Sequence, residues 1–166
     1  MVFIIESIIL CGLFTLAVRF KLMSNPIKAI MSYPPAIRKR VESLPQYQGT
    51  IRQEKRTHIG KKLLAVPIMA VLMAAASWLG GARDFLSALL YIFGLYTVVN
   101  LWDMIVLDWL WFCRSHKVRL PGTEDMDKEY RDHLFHLRGF FKGCAIGAVI
   151  SAISAGLIVA ANTLFM

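Results

Sequence analysis

Four apolar stretches, each long enough to cross a lipid bilayer as a helix, constrain this chain more than any other feature. They cover residues 2–20, 63–82, 85–113 and 140–165. About 20 helical residues traverse the roughly 30 Å hydrocarbon layer, because each residue adds about 1.5 Å. The sequence therefore predicts an all-α integral membrane four-helix bundle, with residues 1–166 forming a single transmembrane domain.

The composition excludes the main alternatives to a membrane protein. Hydrophobic residues make up 57% of the chain and charged residues 18%, whereas soluble domains have roughly 45–50% and about 25%. A soluble domain of this size has too little interior to bury so much apolar surface. Intrinsic disorder requires fewer apolar residues, and three cysteines do not make a disulfide-rich secreted module.

Positive charge is concentrated in two of the connections. Residues 21–62 and 113–142 hold 17 of the 19 Lys and Arg residues, and the turn at 80–84 carries no net charge. Cytoplasmic loops of membrane proteins are enriched in Lys and Arg. We therefore expect a multi-pass protein of the cell (cytoplasmic) membrane, with segments 21–62 and 114–139 in the cytoplasm and both termini outside.

The first connecting segment contains signals for short helices. Asn25-Pro26 is typical of an N-cap followed by proline at the first helical position, and Pro34-Pro35 predicts a second start. In that second helix Ile37, Val41 and Leu44 share one face and a basic run occupies the other. The pattern predicts an amphipathic helix that buries its apolar face in the membrane interface.

Five cations of this segment are predicted to contact anionic lipid headgroups. They are Arg38, Lys39, Arg40, Lys61 and Lys62. The alternative is that these charges only orient the protein in the membrane. Nucleic acid is not an expected partner, because no recognition module accompanies the basic residues. The capping-box pattern Thr50-x-x-Gln53 predicts a helix that begins near Thr50 and continues into the second span.

The third apolar stretch contains Asn100, Asp103 and Asp108. Acidic residues inside a membrane usually face a protein interior or a water-filled cavity. Asp103 is accordingly either an ion ligand, proton carrier or acid/base group, or a buried acid paired with Arg138 or Lys142. An ideal α-helix would separate Asp103 from Asp108 by about 140°, so the two carboxylates are not expected to form a pair.

The second connecting segment predicts a helix over residues 124–138, preceded by a Pro121-Gly122 turn and an N-cap at Thr123. Glu129, His133 and His136 would then share one face, a pattern that can hold a divalent metal such as zinc or iron. The same spacing also suits contacts with headgroups or with a neighbouring helix. A third interpretation is that His133 or His136 meets an acid of span three beneath the membrane and responds to pH or relays protons.

Span four carries small residues at every fourth position. One row consists of Gly139, Gly143, Gly147, Ser151 and Ala155, and a second consists of Cys144, Ala148, Ala152, Gly156 and Ala160. Small residues at this spacing let helix backbones approach closely in lipid. The pattern predicts close helix packing inside the bundle, and it leaves open that one of the two rows contacts a homodimer partner or another membrane protein instead.

One set of motifs carries a family resemblance. They are Asp108-Trp109, Pro121-Gly122-Thr123-Glu124, His136, Gly139-Phe140 and Lys142-Gly143. Through these motifs the chain resembles an uncharacterised family of bacterial four-span integral membrane proteins. The resemblance implies a membrane location and no particular activity.

Two functional hypotheses follow from these patterns. The first is a small polytopic membrane protein with a cytosol-facing polar site and a binding, transport-related or accessory role. The second is a membrane-embedded enzyme or metal-binding protein that acts on an anionic lipid or a phosphorylated small molecule. The candidate polar residues are Asn100, Asp103, Asp108, Tyr130, His133, His136 and Lys142. The enzyme hypothesis requires Asp103 and a histidine to face one cavity.

Overall fold

The described part of the chain is entirely helical. The structure is a computed structural model that describes residues 1–165, apart from the side chains of Lys62 and Phe165, and this range contains no strand. The main helices are α1 (Val2–Ser24), α2 (Pro35–Glu42), α3 (Gln48–Leu79), α4 (Phe85–Trp102), α5 (Asp127–Tyr130) and α6 (His133–Phe165), with a π-helix over Asp103–Phe112 that extends α4. Short 3₁₀ turns cover Pro26–Ser32, Pro45–Tyr47 and His116–Val118. The predicted all-α class is confirmed, and the predicted lipid contact of Lys62 lies outside the described side chains.

Three helical stretches are long and apolar enough to cross a membrane. They are Val2–Ser24, Phe85–Phe112 and Asp127–Leu164. Helix α3, taken together with the turn before it, adds a fourth when Pro45–Lys61 and Leu63–Leu79 are counted as one bent span. Three to four such helices are compatible with a multi-pass membrane protein.

The bend in α3 has a cause in the sequence. The two parts of the helix are inclined by 41°. Pro67 lies inside the helix, four residues after Leu63, where the bend begins. Proline has no N–H to donate to the carbonyl of Leu63, and its ring crowds that carbonyl. The bend separates a polar lower part of α3 from an apolar upper part.

The two basic connecting segments pack against each other in one buried cluster, which we call the connector core. It includes Tyr33, Ile37 and Val41 from the first segment and Val118 and Tyr130 from the second. Each of these side chains has no exposed surface. Both segments therefore lie at the same end of the molecule, which we call the basic end.

Helix α2 differs from its predicted role at a lipid interface. Its apolar stripe was expected to enter the membrane, but Ile37 and Val41 are buried in the connector core. On the basic face Arg40 donates from Nε to the Gly122 carbonyl at 3.2 Å and pairs with Asp125 at 3.5 Å. The apolar stripe of α2 therefore stabilises packing within the protein, because the second connecting segment covers it.

Helix α3 begins close to its predicted position. The helix starts at Gln48, directly after the turn at Pro45–Tyr47, so the predicted helix from about Thr50 into the second apolar stretch is confirmed, whereas the predicted capping box is wrong. Thr50 is already inside the helix, and no side chain caps its N-terminus. The start of the helix is therefore defined by the Pro45 turn that precedes it, and not by the predicted capping box.

The predicted helix over 124–138 is interrupted. Residues 121–126 form turns, α5 is a single turn, and α6 begins only at His133. The break occurs because Asp132 accepts a hydrogen bond from the Phe135 amide at 2.9 Å and so acts as an N-terminal cap for α6. Thr123, the predicted cap, donates instead to the Leu120 carbonyl at 2.7 Å.

The first small-residue row of α6 faces the other helices. Gly143 lies directly against the Asn100 side chain and Gly147 against the Tyr96 ring, with no space for a Cβ atom at either glycine. Ser151 and Ala155 are fully buried, whereas Gly139 is open. Close approach of α6 to α4 therefore depends on the central glycines of the row.

Candidate functional site

The π-helix at Asp103–Phe112 positions the acidic residues of this stretch. Backbone hydrogen bonds in a π-helix join residues five apart, instead of four apart as in an α-helix. An example is the 2.9 Å bond from the Cys113 amide to the Asp108 carbonyl. Residues five apart consequently lie near the same face. Asp103 and Asp108 are five residues apart in this π-helix. Their side chains nevertheless make different contacts, since Asp103 lines a cavity between α1, α3 and α4 and Asp108 binds His136. Among the side chains that the structure describes, no hydrogen bond joins the two carboxylates, in agreement with the expectation that they do not form a pair.

Asp108 binds His136 across the interface with α6. The Asp108 Oδ2 and His136 Nδ1 atoms are 2.9 Å apart, and the histidine side chain is only 3% exposed. The carboxylate fixes the ring orientation and places a proton on Nδ1. This pair joins the π-helix to the first turn of α6 at the basic end of the molecule.

The surroundings of His136 are mainly aromatic. The rings of Phe112 and Phe135 lie 5.4 and 5.2 Å from the imidazole, centre to centre. Among the described residues the Nε2 atom of His136 has no hydrogen-bond partner. The imidazole is thus held by one carboxylate in an otherwise apolar environment.

Asn100 links α4 to α6 one turn away from Asp103. Its Nδ2 atom donates to the Phe140 carbonyl at 2.9 Å and approaches the Cys144 sulfur at 3.4 Å. The contact is made possible by Gly143, which leaves room for the amide. Asn100 therefore stabilises helix packing and also lines an adjacent cavity.

That cavity lies between α1, α3 and α4 and has a volume of about 310 Å³. Its walls are mostly apolar, and Asn100 and Asp103 provide carboxamide and carboxylate groups at one side. The remaining lining residues are Leu10, Leu13, Phe14, Ala17, Met69, Met73, Tyr96 and Val99. Small-molecule sites commonly have this character, with apolar walls and a few polar groups. His136 and Asp108 are not among the lining residues.

A second cavity, about 550 Å³ in volume, lies at the basic end between α1, the Pro26–Ser32 turn and α3. Lys21, Lys28 and Lys61 line it, together with Glu54 and His58. Lys61 Nζ lies 2.8 Å from Glu54 Oε2. Of these three lysines, only Lys61 was predicted from the sequence to contact lipid headgroups. Lys21 and Lys28 flank the Asn25-Pro26 turn, and this spacing in the sequence could have identified them as candidate binding residues.

Tyr130 has a structural position at the centre of the connector core. Its hydroxyl accepts a hydrogen bond from the Leu120 amide at 2.9 Å and lies 2.9 Å from Thr123 Oγ1. The Arg119 guanidinium stacks 3.9 Å above its ring and binds Asp127 at 3.1 Å. These contacts fold the second connecting segment back on itself.

Tyr33 and Glu124 complete this arrangement. The Tyr33 hydroxyl donates to the Val118 carbonyl at 2.9 Å, and burial raises the pKa of this phenol. The Gly122 amide donates to the Glu124 carboxylate at 2.9 and 3.0 Å, which lowers the pKa of Glu124. Gly122 has a φ of +87°, a conformation that favours glycine.

The predicted metal ligands Glu129, His133 and His136 are not brought together. Because the helix breaks between Tyr130 and His133, Glu129 belongs to a different helix from the two histidines. His133 packs edge-on against Trp109, with ring centres 5.3 Å apart. No group of three His, Cys, Asp or Glu side chains in the described part of the chain is placed to hold a metal ion.

Lys142 and Arg138 were possible partners of Asp103. Both lie on the exposed face of α6. Asp103 forms no ion pair with either of them within residues 1–165. Asp103 instead lines the cavity between α1, α3 and α4.

Comparisons with protein-family models, with curated proteins and with solved structures found no match to this chain. The resemblance drawn from the sequence motifs therefore stays a prediction. Functional inference rests on the geometry of the cavities and of the polar residues beside them.

Proposed function

We propose that this chain is a multi-pass membrane protein that binds an amphiphilic molecule from the bilayer. Helices α1, α3, α4 with its π extension, and α6 form a four-helix transmembrane bundle, with α3 crossing as one bent span. The basic end lies in the cytoplasm and the termini outside, because Lys and Arg are concentrated in the connecting segments of that end.

One observation carries the binding role. The cavity of about 310 Å³ between α1, α3 and α4 combines apolar walls with the polar side chains of Asn100 and Asp103. In a membrane such a cavity borders lipid, so its natural occupant has an apolar part and a polar group. Intramembrane carboxylates and amides usually face such functional space.

A membrane enzyme is the second candidate function, and the buried Asp108–His136 pair favours it. A carboxylate that binds one nitrogen of an imidazole and leaves the other nitrogen without a partner is a recurring arrangement in acid–base catalysis. However, the pair does not line the cavity that Asn100 and Asp103 border. The enzyme hypothesis required these groups to face one cavity, so binding is the better-supported function.

The membrane orientation is tested by labelling cysteines in intact cells. We expect a membrane-impermeant thiol reagent to label a Thr163→Cys variant in intact cells. A Lys39→Cys variant should react only after the cells are opened, with the wild-type cysteines as the background. Labelling of Lys39→Cys in intact cells would contradict the orientation.

The binding role is tested by filling the cavity. Ala17 lines it, whereas Ala152 is exposed on α6, so Ala17→Phe and Ala152→Phe form a matched pair. After purification in detergent and extraction with organic solvent, wild type and Ala152→Phe should retain about one amphiphile per chain. Ala17→Phe should retain much less. Equal retention by the two variants would disprove the proposed role.

A further inference from the structure

The two cavities lie end to end along the same faces of α1 and α3. On α1, the apolar cavity is lined at positions 10, 13, 14 and 17, and the basic cavity at positions 21 and 24. On α3, the basic cavity is lined at positions 54, 58, 61 and 65, and the apolar cavity at 69 and 73. Intervals of three or four residues keep each series on one helix face. We infer that the two cavities, whose linings share no residue, are parts of one groove.

The groove exists because α1 and α3 do not pack tightly against each other. Helix α1 packs mainly against α4, and α3 packs mainly against α6 and the Pro26–Ser32 turn. The bend in α3 changes the direction of the helix between Lys61 and Leu63, within the part of α3 that lines the basic cavity. Between Leu10 and Lys21 the groove extends about 16 Å along α1. This is close to half of the roughly 30 Å hydrocarbon thickness, or one leaflet.

The basic part of the groove has a net positive charge. Lys61 neutralises Glu54 through their 2.8 Å ion pair. Lys21 and Lys28 form no ion pair within the described residues, so their ammonium groups are available to a ligand. The opening is therefore complementary to an anion. Each basic residue at a membrane surface contributes about 1 kcal/mol to attraction of anionic lipid.

Polarity changes along the groove in the order found in a phospholipid. The lysines lie at the basic end, and Asp103 lines the neighbouring part of the apolar cavity, near the end of α4 that points toward the basic end. The walls farther along α1, at Leu13 and Leu10, are apolar. A phosphate, a glycerol backbone and an acyl chain follow one another in the same order.

We propose that this groove binds one anionic phospholipid of the inner leaflet. Its phosphate lies at Lys21, Lys28 and Lys61, and one acyl chain runs between α1 and α3 past Ala17. This inference rests on the proposed amphiphile-binding role and specifies its ligand. It replaces the basic face of α2 as the principal lipid contact, since the apolar face of α2 is buried in protein.

Native mass spectrometry of the purified protein in detergent tests the proposal, with dioleoyl phosphatidylglycerol and dioleoyl phosphatidylcholine as probes. Wild type should bind phosphatidylglycerol at least tenfold more tightly. The variant Lys21→Gln/Lys28→Gln/Lys61→Gln should lose roughly tenfold to a hundredfold in affinity for phosphatidylglycerol. The corresponding Lys→Arg triple variant should keep most of it.

The matched control removes the same charge from the same end of the molecule. Lys39, Arg52 and Arg56 are exposed and line neither part of the groove, so their triple Gln variant should bind like wild type. Equal binding of the two lipids by wild type would overturn the proposal even if the groove variant failed to fold. An equal loss in the control would do the same.

The amphiphile-retention experiment separates the two proposals. If wild type retains an amphiphile that Ala17→Phe loses, but shows no preference between the two headgroups, only the ligand assignment fails. If wild type and Ala17→Phe retain equal amounts, the binding role itself fails.

Discussion

His136 shows, at the scale of a single residue, how a polar group is accommodated among long apolar helices. Its Nδ1 atom is 2.9 Å from the Asp108 carboxylate, and aromatic rings enclose the rest of the ring. One of the three interpretations drawn from the sequence was that His133 or His136 meets an acid of the third apolar stretch. It did not identify which pair would form, because that choice depends on where α6 begins.

Replacing His136 by Ala should destabilise the protein by about 1–3 kcal/mol, since the partly buried Asp108 carboxylate loses its hydrogen-bond partner. The denaturation midpoint of the detergent-solubilised protein measures this change. Lys142→Ala, an exposed change on the same helix, should cost less than about 0.5 kcal/mol. Similar midpoints for the two variants would show that the Asp108–His136 bond contributes little.

Tyr130 provides a second test at this scale. Tyr130→Phe removes the hydroxyl that accepts from the buried Leu120 amide and contacts Thr123. We expect a loss of about 1–3 kcal/mol and faster hydrogen exchange at the Leu120 amide, measured by mass spectrometry. Tyr47→Phe serves as the control. Unchanged exchange at Leu120 in Tyr130→Phe would mean that the connector core does not depend on this bond.

At the scale of helices, the long apolar elements were predictable and their irregularities were not. Apolar composition over about 20 residues suffices to predict a span, so all four stretches correspond to helices. The π-helix depends on tertiary contacts of its side chains, which no local pattern of residues encodes. The break before His133 was unpredictable for a similar reason. The sequence around Asp132 is equally compatible with a continuous helix, and the packing of α6 against α4 decides between the two.

The bend in α3 gives a prediction for this scale. Pro67→Ala restores the N–H that can bond to the Leu63 carbonyl, so the 41° bend should decrease. Spin labels at Gln53 and Leu79 would then move apart by about 2 Å, because a straight helix rises about 1.5 Å per residue. Double electron–electron resonance measures this distance. An unchanged distance would show that packing against α6, and not the proline, sets the bend.

At the scale of the whole molecule, two buried clusters hold the helices together. The connector core stabilises the basic end, and a second cluster joins α3, α4 and α6 around Ala70, Ile92 and Ile150. Ser154 crosses this second cluster and donates to the Ala70 carbonyl at 2.9 Å. The sequence predicted the small-residue face that permits this packing, but it could not show which of the two rows of α6 would be used internally.

The two small-residue rows can be compared directly. The side chain of a Gly147→Leu variant would overlap the Tyr96 ring. We expect this overlap to lower the free energy of unfolding by about 1–3 kcal/mol or to prevent folding. Gly156 has no neighbouring atom within 4 Å of an added Cβ, so Gly156→Leu should change stability by less than about 0.5 kcal/mol. Denaturation midpoints measure both effects. A large effect of Gly156→Leu would indicate an external contact, and the predicted homodimer could then be sought by mass measurement.

The shared connector core also determines when the chain can finish folding during synthesis. The Tyr33 hydroxyl binds the Val118 carbonyl, 85 residues later in the chain. A ribosome adding about 5–20 residues per second needs on the order of ten seconds to cover that interval. During this time Ile37 and Val41 lack the partners in the connector core that the second connecting segment supplies. The newly made loop is therefore exposed to chaperones and proteases until the second loop emerges.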